Sequence, residues 1–393
     1  MEVIVHRGKN QIGGSIIEVH TERTRILLDA GLEFDKEKNR RLPDVEGLFD
    51  RKGFDAVFIT HYHSDHVGLV YKIHPEIPVY MGEDSCRILK ASDKYKRKKC
   101  ITPAGFLKHK EPISIGDIKI TPCLCDHSAY DSYMLLCEGE GQTVLYTGDF
   151  RSNGRKSFEA LLSDLPESVD VLICEGTTLS REGYVAKNED FLENAAAGLM
   201  KNRRGPVFVL QSPMNIDRII TMYRAAHKSG RIFLQDLYMA EITSAVGGNV
   251  PNPNFEDVYP FAANLRRILR LFRFPKKAGK RFISRTPFVM CVRLSMLRYM
   301  KVLSKRMSFE NGLLIYSLYT GYKEVPRMKS FLSECERMGL EIKTLHTSGH
   351  ADGEAIRRLV EKVRPKKIMP VHTEAAEWFD RQDFYGKEEH APL

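Results

Sequence analysis

The stretch Thr60-His61-Tyr62-His63-Ser64-Asp65-His66 follows directly on the apolar run Asp55-Ala-Val-Phe-Ile59. That run has the length and composition of a buried β-strand, so three histidines and an aspartate stand together at its polar end. Imidazole nitrogens and carboxylate oxygens suit a borderline divalent ion such as zinc. A solvated His-rich loop is the alternative, but chance should produce this pattern in only roughly one chain per thousand. The stretch therefore predicts a metal site.

Other polar residues come after predicted strands further along the chain. A lone histidine is more often structural, and a Gly-Asp pair is usually a turn, so each is weak evidence when taken alone. Position at a strand end is the feature that they share, and it does not by itself make them metal ligands. They are Asp29 after Arg25-Ile-Leu-Leu28, His127 in Cys125-Asp-His-Ser-Ala-Tyr-Asp-Ser132, Asp149 in Tyr146-Thr-Gly-Asp-Phe150, and Glu175 after Val169-Asp-Val-Leu-Ile-Cys174.

The motif His61-x-His63-x-Asp65-His66 resembles the signature of the metallo-β-lactamase superfamily. The resemblance implies an α/β fold, an αββα sandwich that holds two divalent ions, zinc or alternatively manganese. It also implies the ligand sets, with Asp149 bridging both ions and Asp29 supporting a ligand without binding metal. One ion would be bound by His61, His63 and His127, and the other by Asp65 and His66.

Two later motifs, His346-Thr-Ser-Gly-His-Ala351 and Pro370-Val-His-Thr-Glu374, each place a histidine after a predicted strand. With Glu175 as motif A, His350 and His372 resemble motifs B and C of the β-CASP group of nucleases. The resemblance implies that His372 binds the second metal. It also implies a catalytic domain in residues 1–187 and 341–393, interrupted by a β-CASP-like domain in residues 188–340. Alternating strand and helix patterns from about residue 188 independently predict a parallel α/β unit.

Within that group the chain is most similar to the ribonuclease J family. Ser212-Pro-Met-Asn-Ile-Asp-Arg218 resembles that family's Ser-Asn-x-x-Arg helix, and the motif around His127 resembles its His-Ser-x-Pro-Asp-Ser, with Tyr130 in place of proline. Only about twenty residues follow His372, whereas ribonuclease J chains usually carry a further domain there. The oligomeric state and the choice between endo- and exonuclease action therefore stay open.

The resemblance implies RNA phosphodiester hydrolysis by a metal-bridged hydroxide, with Asp65, Glu175 and His350 as catalytic residues. Coordination to a metal lowers the pKa of water to about 7, which makes hydroxide available at neutral pH. The turn Ser348-Gly349 and His350 would bind the substrate phosphate, and Glu175 would orient His350 and keep it charged. The alternatives are a DNA nuclease or other phosphodiesterase of the same fold, a small-molecule hydrolase of the thioesterase or lactonase type, and an inactive RNA-binding scaffold.

The net charge of +9 is unevenly distributed along the chain. Residues 261–307, which we call the basic segment, contain 14 Lys and Arg and no Asp or Glu. Such a segment predicts contact with a polyanion. The alternative, a solvated helix face, needs compensating acids nearby, and this segment has none. We expect single-stranded RNA as the partner, with Arg266, Arg267, Arg270 and Arg273 on its phosphates. Interleaved phenylalanines at 272, 274, 282 and 288 could stack on bases, although burial in a core is at least as common.

Composition gives weaker guidance on the cell compartment. The N-terminus meets a basic residue before any apolar run of signal-peptide length, and no run of about 18 apolar residues occurs. The eight cysteines form no C-x-x-C pair, and Cys123-x-Cys125 is read as a buried hydrophobic pair in a strand. These features predict a protein of the reducing cytoplasm without a membrane partner.

Overall fold

The structure, a computed structural model, describes residues 1–34, 41–181 and 183–384. The chain forms two compact units. The first comprises Met1–Lys90, Lys99–Ala186 and Gly349–Leu393, and the second comprises Ala91–Lys98 and Lys187–Ser348.

The first unit contains two six-stranded sheets. One has the strand order β1-β2-β3-β4-β5-β6, and the other has the order β18-β11-β10-β9-β8-β7. The strands of the first sheet are β1 (Glu2–Arg7), β2 (Ile16–His20), β3 (Arg25–Leu28), β4 (Ala56–Ile59), β5 (Val79–Gly82) and β6 (Gly105–Leu107). Those of the second are β7 (Ile113–Ile115), β8 (Ile118–Cys125), β9 (Ser132–Gly139), β10 (Gln142–Tyr146), β11 (Val171–Glu175) and β18 (Lys367–Val371).

The two sheets pack face to face through apolar side chains such as Ile17, Leu28 and Phe58 on one and Leu135 and Ile173 on the other. Helices α3 (Phe158–Asp164) and α11 (Gly353–Val363) cover the outer face of the second sheet. Burial on both faces explains why β4 and β11 are nearly continuous apolar runs. The predicted sandwich is confirmed.

The remaining helices of the first unit are short or lie at its boundary. Helix α1 (Ser64–Val67) follows β4, α12 (Glu377–Asp380) follows β18, and α2 (Glu83–Lys96) begins in the first unit and ends in the second. Cys123 and Cys125 are both buried in β8, as the sequence predicted, and burial raises the pKa of the Cys123 thiol to about 11.

The second unit is built on one sheet in which every strand pairing is parallel. Its strand order is β14-β13-β15-β12-β16-β17. The strands are β12 (Val207–Leu210), β13 (Ile232–Asp236), β14 (Val258–Phe261), β15 (Phe288–Val292), β16 (Gly312–Tyr316) and β17 (Leu340–Thr344). The helices are α4 (Glu189–Lys201), α5 (Ile216–Lys228), α6 (Leu237–Val246), α7 (Ile268–Leu271), α8 (Lys280–Ile283), α9 (Leu297–Ser304) and α10 (Pro326–Arg337).

The units differ from the sequence-based boundaries at two places. The sequence placed residues 341 onward in the catalytic domain, but the second unit continues to Ser348, because β17 pairs in parallel with β16. Residues 91–98 also belong to the second unit, which the sequence did not predict. Among the described residues, no helix has the length and apolar composition needed to cross a membrane.

Candidate metal centre

The candidate ligands lie at one edge of the first unit's sheets, in the loops that follow strands. The stretch containing His61, His63, Asp65 and His66 follows β4, and Asp29 follows β3, which pairs with β4 in parallel. Strands β10, β11 and β18 are likewise parallel neighbours. Their carboxyl ends therefore bring Asp149, Glu175 and His372 to the same edge.

The first cluster consists of His61, His63, His127 and Asp149, whose ligand atoms all lie within 4.8 Å of one another. Nδ1 of His63 is 3.1 Å from Nε2 of His127. Oδ2 of Asp149 is 3.7 Å from Nε2 of His61 and 3.7 Å from Nε2 of His127. These atoms converge on a common point, as ligands of one ion do.

The second cluster consists of Asp65, His66, Asp149 and His372. Nε2 of His66 is 3.2 Å from Oδ2 of Asp149, and Nε2 of His372 is 3.1 Å from Oδ2 of Asp65. Asp149 is common to both clusters, and it also belongs to a third with Glu175, His350 and His372. A carboxylate shared by two ligand sets is the arrangement that a two-metal site requires.

Buried polar atoms without a hydrogen-bond partner test whether these residues fit a metal. Both carboxylate oxygens of Asp149 and Nε2 of His61 and of His66 are buried and make no hydrogen bond within the described chain. A buried carboxylate without hydrogen bonds is costly unless something else binds it. Imidazole nitrogens and carboxylate oxygens whose lone pairs are not used in hydrogen bonds fit divalent metal ions such as zinc.

In the first cluster the protonation states of the histidines also fit metal binding. Burial, aided by neighbouring imidazoles, lowers the pKa of His61 well below its usual value, and burial lowers the pKa of His127 in the same way. Burial lowers the pKa of His63 to about 4, although Asp65 and Asp149 oppose the shift. Only a neutral imidazole can offer its lone pair to a metal, so these three side chains are ready ligands at neutral pH. In the second cluster Asp149 and Asp29 outweigh the effect of burial and raise the pKa of His66 well above its usual value.

Hydrogen bonds outside the clusters hold the ligands in position. Asp29 accepts from the Thr60 amide at 2.7 Å and from the Tyr146 hydroxyl at 2.8 Å, and it lies 2.7 Å from Nδ1 of His66. A carboxylate on Nδ1 directs the opposite nitrogen of His66 toward the metal. Asp29 therefore contacts a candidate ligand and is itself in none of the three clusters.

His127 is oriented by the turn that carries His350. Its Nδ1 lies 2.5 Å from the carbonyl oxygen of Gly349, which leaves Nε2 for the first cluster. A Cβ atom at residue 349 would lie 2.4 Å from Oγ of Ser128, so only glycine allows this approach. The Ser348-Gly349 turn thus positions a ligand as well as His350.

His350 and Glu175 form an ion pair beside the clusters. Nδ1 of His350 is 3.0 Å from Oε2 of the fully buried Glu175 and 3.5 Å from Oδ2 of Asp149. Burial opposes the charged imidazole, but the two carboxylates outweigh it and raise the pKa of His350 to about 9. His350 is 21% exposed and can meet a substrate.

Thr177 is a residue that the sequence reasoning missed. Its hydroxyl donates to Oε2 of Glu175 at 2.7 Å and lies 2.8 Å from Nδ1 of His372. The hydroxyl can accept from Nδ1 of His372 while it donates to Glu175, which leaves Nε2 of His372 free for a metal. Its place two residues after Glu175 was the only signal in the sequence.

Replacing Thr177 with valine should weaken metal binding at the second cluster by about 10–100-fold, the usual effect of losing a partner behind a histidine ligand. Valine keeps the shape of threonine and removes only the hydroxyl. Thr177→Ser is the matched control and should bind metal like the wild type. Competition with a zinc chelator of known affinity measures the effect. Equal zinc affinity in the valine variant would show that the hydroxyl does not orient His372.

The basic segment lies in the second unit, and acidic residues lie close to it although the segment itself contains none. Acids from other elements pair with it, so the expectation that no compensating acid lies nearby is wrong. Arg270 pairs with Glu241 at 2.7 Å, Arg293 pairs with Asp236, and Lys301 pairs with Glu334 at 2.5 Å.

The four arginines that the sequence predicts on RNA phosphates are not equivalent. Arg267 packs over the ring of Tyr95 at 3.7 Å, and Arg270 has its ion pair, whereas Arg266 and Arg273 are exposed. Phe288 lies buried in β15 and cannot stack on bases, but Phe272 is 62% exposed.

Two family models match parts of the chain. Residues 24–204 match the family model described as a β-lactamase superfamily domain. Residues 337–382 match the model of the Zn-dependent metallo-hydrolase RNA specificity domain. The chain therefore carries a metallo-β-lactamase domain, and its C-terminal motifs lie within the RNA specificity domain.

Relatives over nearly the full chain are named ribonuclease J. The chain is 24% identical to ribonuclease J from Sinorhizobium meliloti over 90% of its own length and 64% of the relative's. It is 25% identical to ribonuclease J from Helicobacter pylori over 93% of its own length and 55% of the relative's. The chain thus spans less than two thirds of both relatives. An RNase J-like protein from Methanocaldococcus jannaschii is 25% identical, with 94% of this chain and 91% of that one covered.

A solved structure shows the same fold. A protein of unknown function from Enterococcus faecalis V583 matches with a TM-score of 0.78 and 22% identity, covering 95% of this chain and 94% of the other.

Proposed function

We propose that this chain, which carries a metallo-β-lactamase domain and an RNA specificity domain of zinc-dependent metallo-hydrolases, is a metal-dependent ribonuclease. One observation carries the proposal: two ligand clusters share Asp149, and the His350–Glu175 ion pair stands beside them. The clusters supply the ligands of a hydrolase, and the charged pair supplies a group for a phosphate. A cytoplasmic location would suit its cysteines, all of them free.

Seven residues would hold the metals. His61, His63 and His127 would bind one ion, Asp65, His66 and His372 the other, and Asp149 both. When bound, two divalent ions supply an activated water as nucleophile and neutralise charge on the phosphoryl oxygens. The remaining steps depend on side chains of this chain.

His350 is the residue that we assign to the substrate. Glu175 and Asp149 keep its imidazole charged, so it can donate a hydrogen bond to a phosphoryl oxygen or a proton to the leaving 3′-oxygen. Glu175 also accepts from the Phe150 amide at 2.8 Å, which fixes its carboxylate and hence the ring of His350. Amides of the Ser348-Gly349 turn could bind a further phosphate oxygen.

The first test compares substrates. Protein of measured metal content is incubated with 5′- and 3′-labelled RNA and with DNA of the same sequence. We expect close to two divalent ions per chain and cleavage of RNA far faster than of DNA. Product lengths from the two labels separate endo- from exonuclease action. Active protein with only traces of metal would overturn the metal assignment, and faster cleavage of DNA would overturn the substrate.

The exposed cations of the basic segment are the second part of the proposal. Arg266 and Arg273 would contact RNA phosphates directly. Arg267 and Arg270 are held by Tyr95 and Glu241, so in the folded chain they would contribute mainly to the local potential. Each phosphate neutralised on a single strand should add about 0.7 to the salt dependence of log affinity.

A further inference from the structure

The two compact units carry opposite net charge. The second unit, residues 91–98 and 187–348, contains 31 Lys and Arg against 14 Asp and Glu, while the whole chain has 60 against 51. The first unit is therefore net acidic. Such separation concentrates a positive potential on the second unit and favours a polyanionic ligand there.

A run of cations outside the basic segment contributes to this charge. Residues 94–98, Lys-Tyr-Lys-Arg-Lys, close α2 and follow it, and we call them the second basic run. All four cations, Lys94, Lys96, Arg97 and Lys98, are exposed. None has an ion pair with a carboxylate in the described ranges of the chain. Their charge is therefore available to a ligand.

Aromatic stacking joins the second basic run to the basic segment within the second unit. The ring of Tyr95 stacks on that of Tyr238 with centroids 4.6 Å apart, and Arg267 lies 3.7 Å above Tyr95. Arg293 packs on the other ring, 5.1 Å from the centroid of Tyr238. Side chains ordered in this way lose little further entropy when a ligand binds.

The cluster stands at the carboxyl edge of the parallel sheet. Asp236 ends β13, Tyr238 lies in the first turn of α6, and Arg293 follows β15. After β13 the chain continues to β14, at one edge of the sheet. After β15 it runs in the opposite direction, across β12 to β16. The neighbouring strands β13 and β15 therefore form a topological switch point. Ligands of open α/β sheets bind outside the carboxyl ends of strands at such points.

We propose that the second basic run and the exposed cations of the basic segment form one binding face for single-stranded RNA on the second unit. The inference rests on the proposed ribonuclease function. Phe272, 62% exposed with Lys277 4.3 Å above its ring, and Phe282, 39% exposed, offer apolar surface among the cations. Exposed aromatics between cations favour unpaired bases over a duplex, whose bases are already stacked.

The test measures RNA affinity in the full chain. Lys94, Lys96, Arg97 and Lys98 are changed together to glutamine, and a second variant changes Arg266 and Arg273 to glutamine. In the matched control, glutamine replaces four exposed cations of the same unit that lie outside the basic segment and the second basic run, namely Lys201, Arg224, Arg327 and Arg337. The background is His350→Ala with metal loaded. The probe is a labelled 20-nucleotide oligouridine that a gel shows to remain intact.

We expect the change of Lys94, Lys96, Arg97 and Lys98 (the run variant) to lower the slope of log affinity against log salt by up to about 3 units. The change of Arg266 and Arg273 (the segment variant) should lower it by up to about 1.4 units, because each phosphate contact contributes about 0.7. The control should keep the wild-type slope, because charges more than about 8 Å from the RNA are screened at physiological salt. Oligouridine should bind more tightly than a duplex of equal length. An unchanged slope in the run variant, or equal loss in the control, would overturn the proposal.

Three further outcomes are decisive. Binding to phosphatidylserine vesicles that depends on residues 94–98, with no such dependence for RNA, would assign the face to membranes and overturn the proposal. If the wild type cleaves no RNA but the salt slope falls as expected, the binding face stands and the ribonuclease function fails. If RNA is cleaved and the run variant binds like the wild type, only the binding face fails.

Discussion

Replacing Asp149 with alanine should abolish hydrolysis and reduce metal content from about two ions per chain to one or fewer. The carboxylate is buried, belongs to both ligand clusters and makes no hydrogen bond of its own in the described chain. Its removal takes one ligand from each metal position and leaves two cations to repel each other across the gap. Metal ions contribute several kcal/mol to transition-state stabilisation, so we expect a loss of at least about 10³-fold in rate.

A control variant and the melting temperature separate this effect from misfolding. Asp131→Asn alters another buried aspartate of the same unit, one that accepts from the Ser85 amide at 3.0 Å away from the ligand clusters, and should keep both metals. Metal analysis and melting temperature are measured on both variants. Wild-type activity in Asp149→Ala would show that the bridging assignment is wrong. Loss of one metal with activity retained would reduce the site to a single-metal centre.

The local part of the metal centre was predictable from the sequence because its ligands are close in the chain. His61, His63, Asp65 and His66 lie within six residues at the end of a buried strand, and the structure brings them together there. His127, Asp149 and His372 could be proposed only through family order, since parallel strands bring distant residues to one edge. Thr177 could not be proposed, because its role depends on a 2.8 Å contact with a residue 195 positions away.

The basic segment shows where sequence reasoning failed. The charge pattern did not predict the strand Phe288-Val-Met-Cys-Val292, which is buried inside the parallel sheet. Basic residues flank this short apolar run on both sides, so it did not stand out as a strand in the sequence. The partners of Arg270 and Arg267, Glu241 and Tyr95, are 29 and more residues away, so counting charges in one segment could not reveal them. The second unit ends at Ser348 rather than before residue 341, and the pattern that predicts a strand does not specify which sheet the strand joins.

Replacing His350 with alanine should leave both metals bound and slow the chemical step by about 10²–10⁴-fold, the range of general acid–base catalysis. The ring contacts Glu175 and lies near Asp149, but neither of the two main ligand clusters includes it. Loss of one metal in this variant would mean that His350 is a ligand, as the third cluster with Asp149, Glu175 and His372 would allow.

A double-mutant cycle with Glu175→Gln tests whether the two residues act as a unit. Glutamine keeps the size of the side chain but removes the charge that holds His350 protonated, so the single variant should lose nearly as much rate as His350→Ala. If Glu175 acts through His350, the double variant should be no slower than His350→Ala alone, because residues that act as a unit give non-additive effects. If instead the rate losses of the two single variants multiply in the double variant, and the metal content of each variant is unchanged, Glu175 contributes to catalysis by a separate route. Its contacts through Thr177 to His372 are one such route.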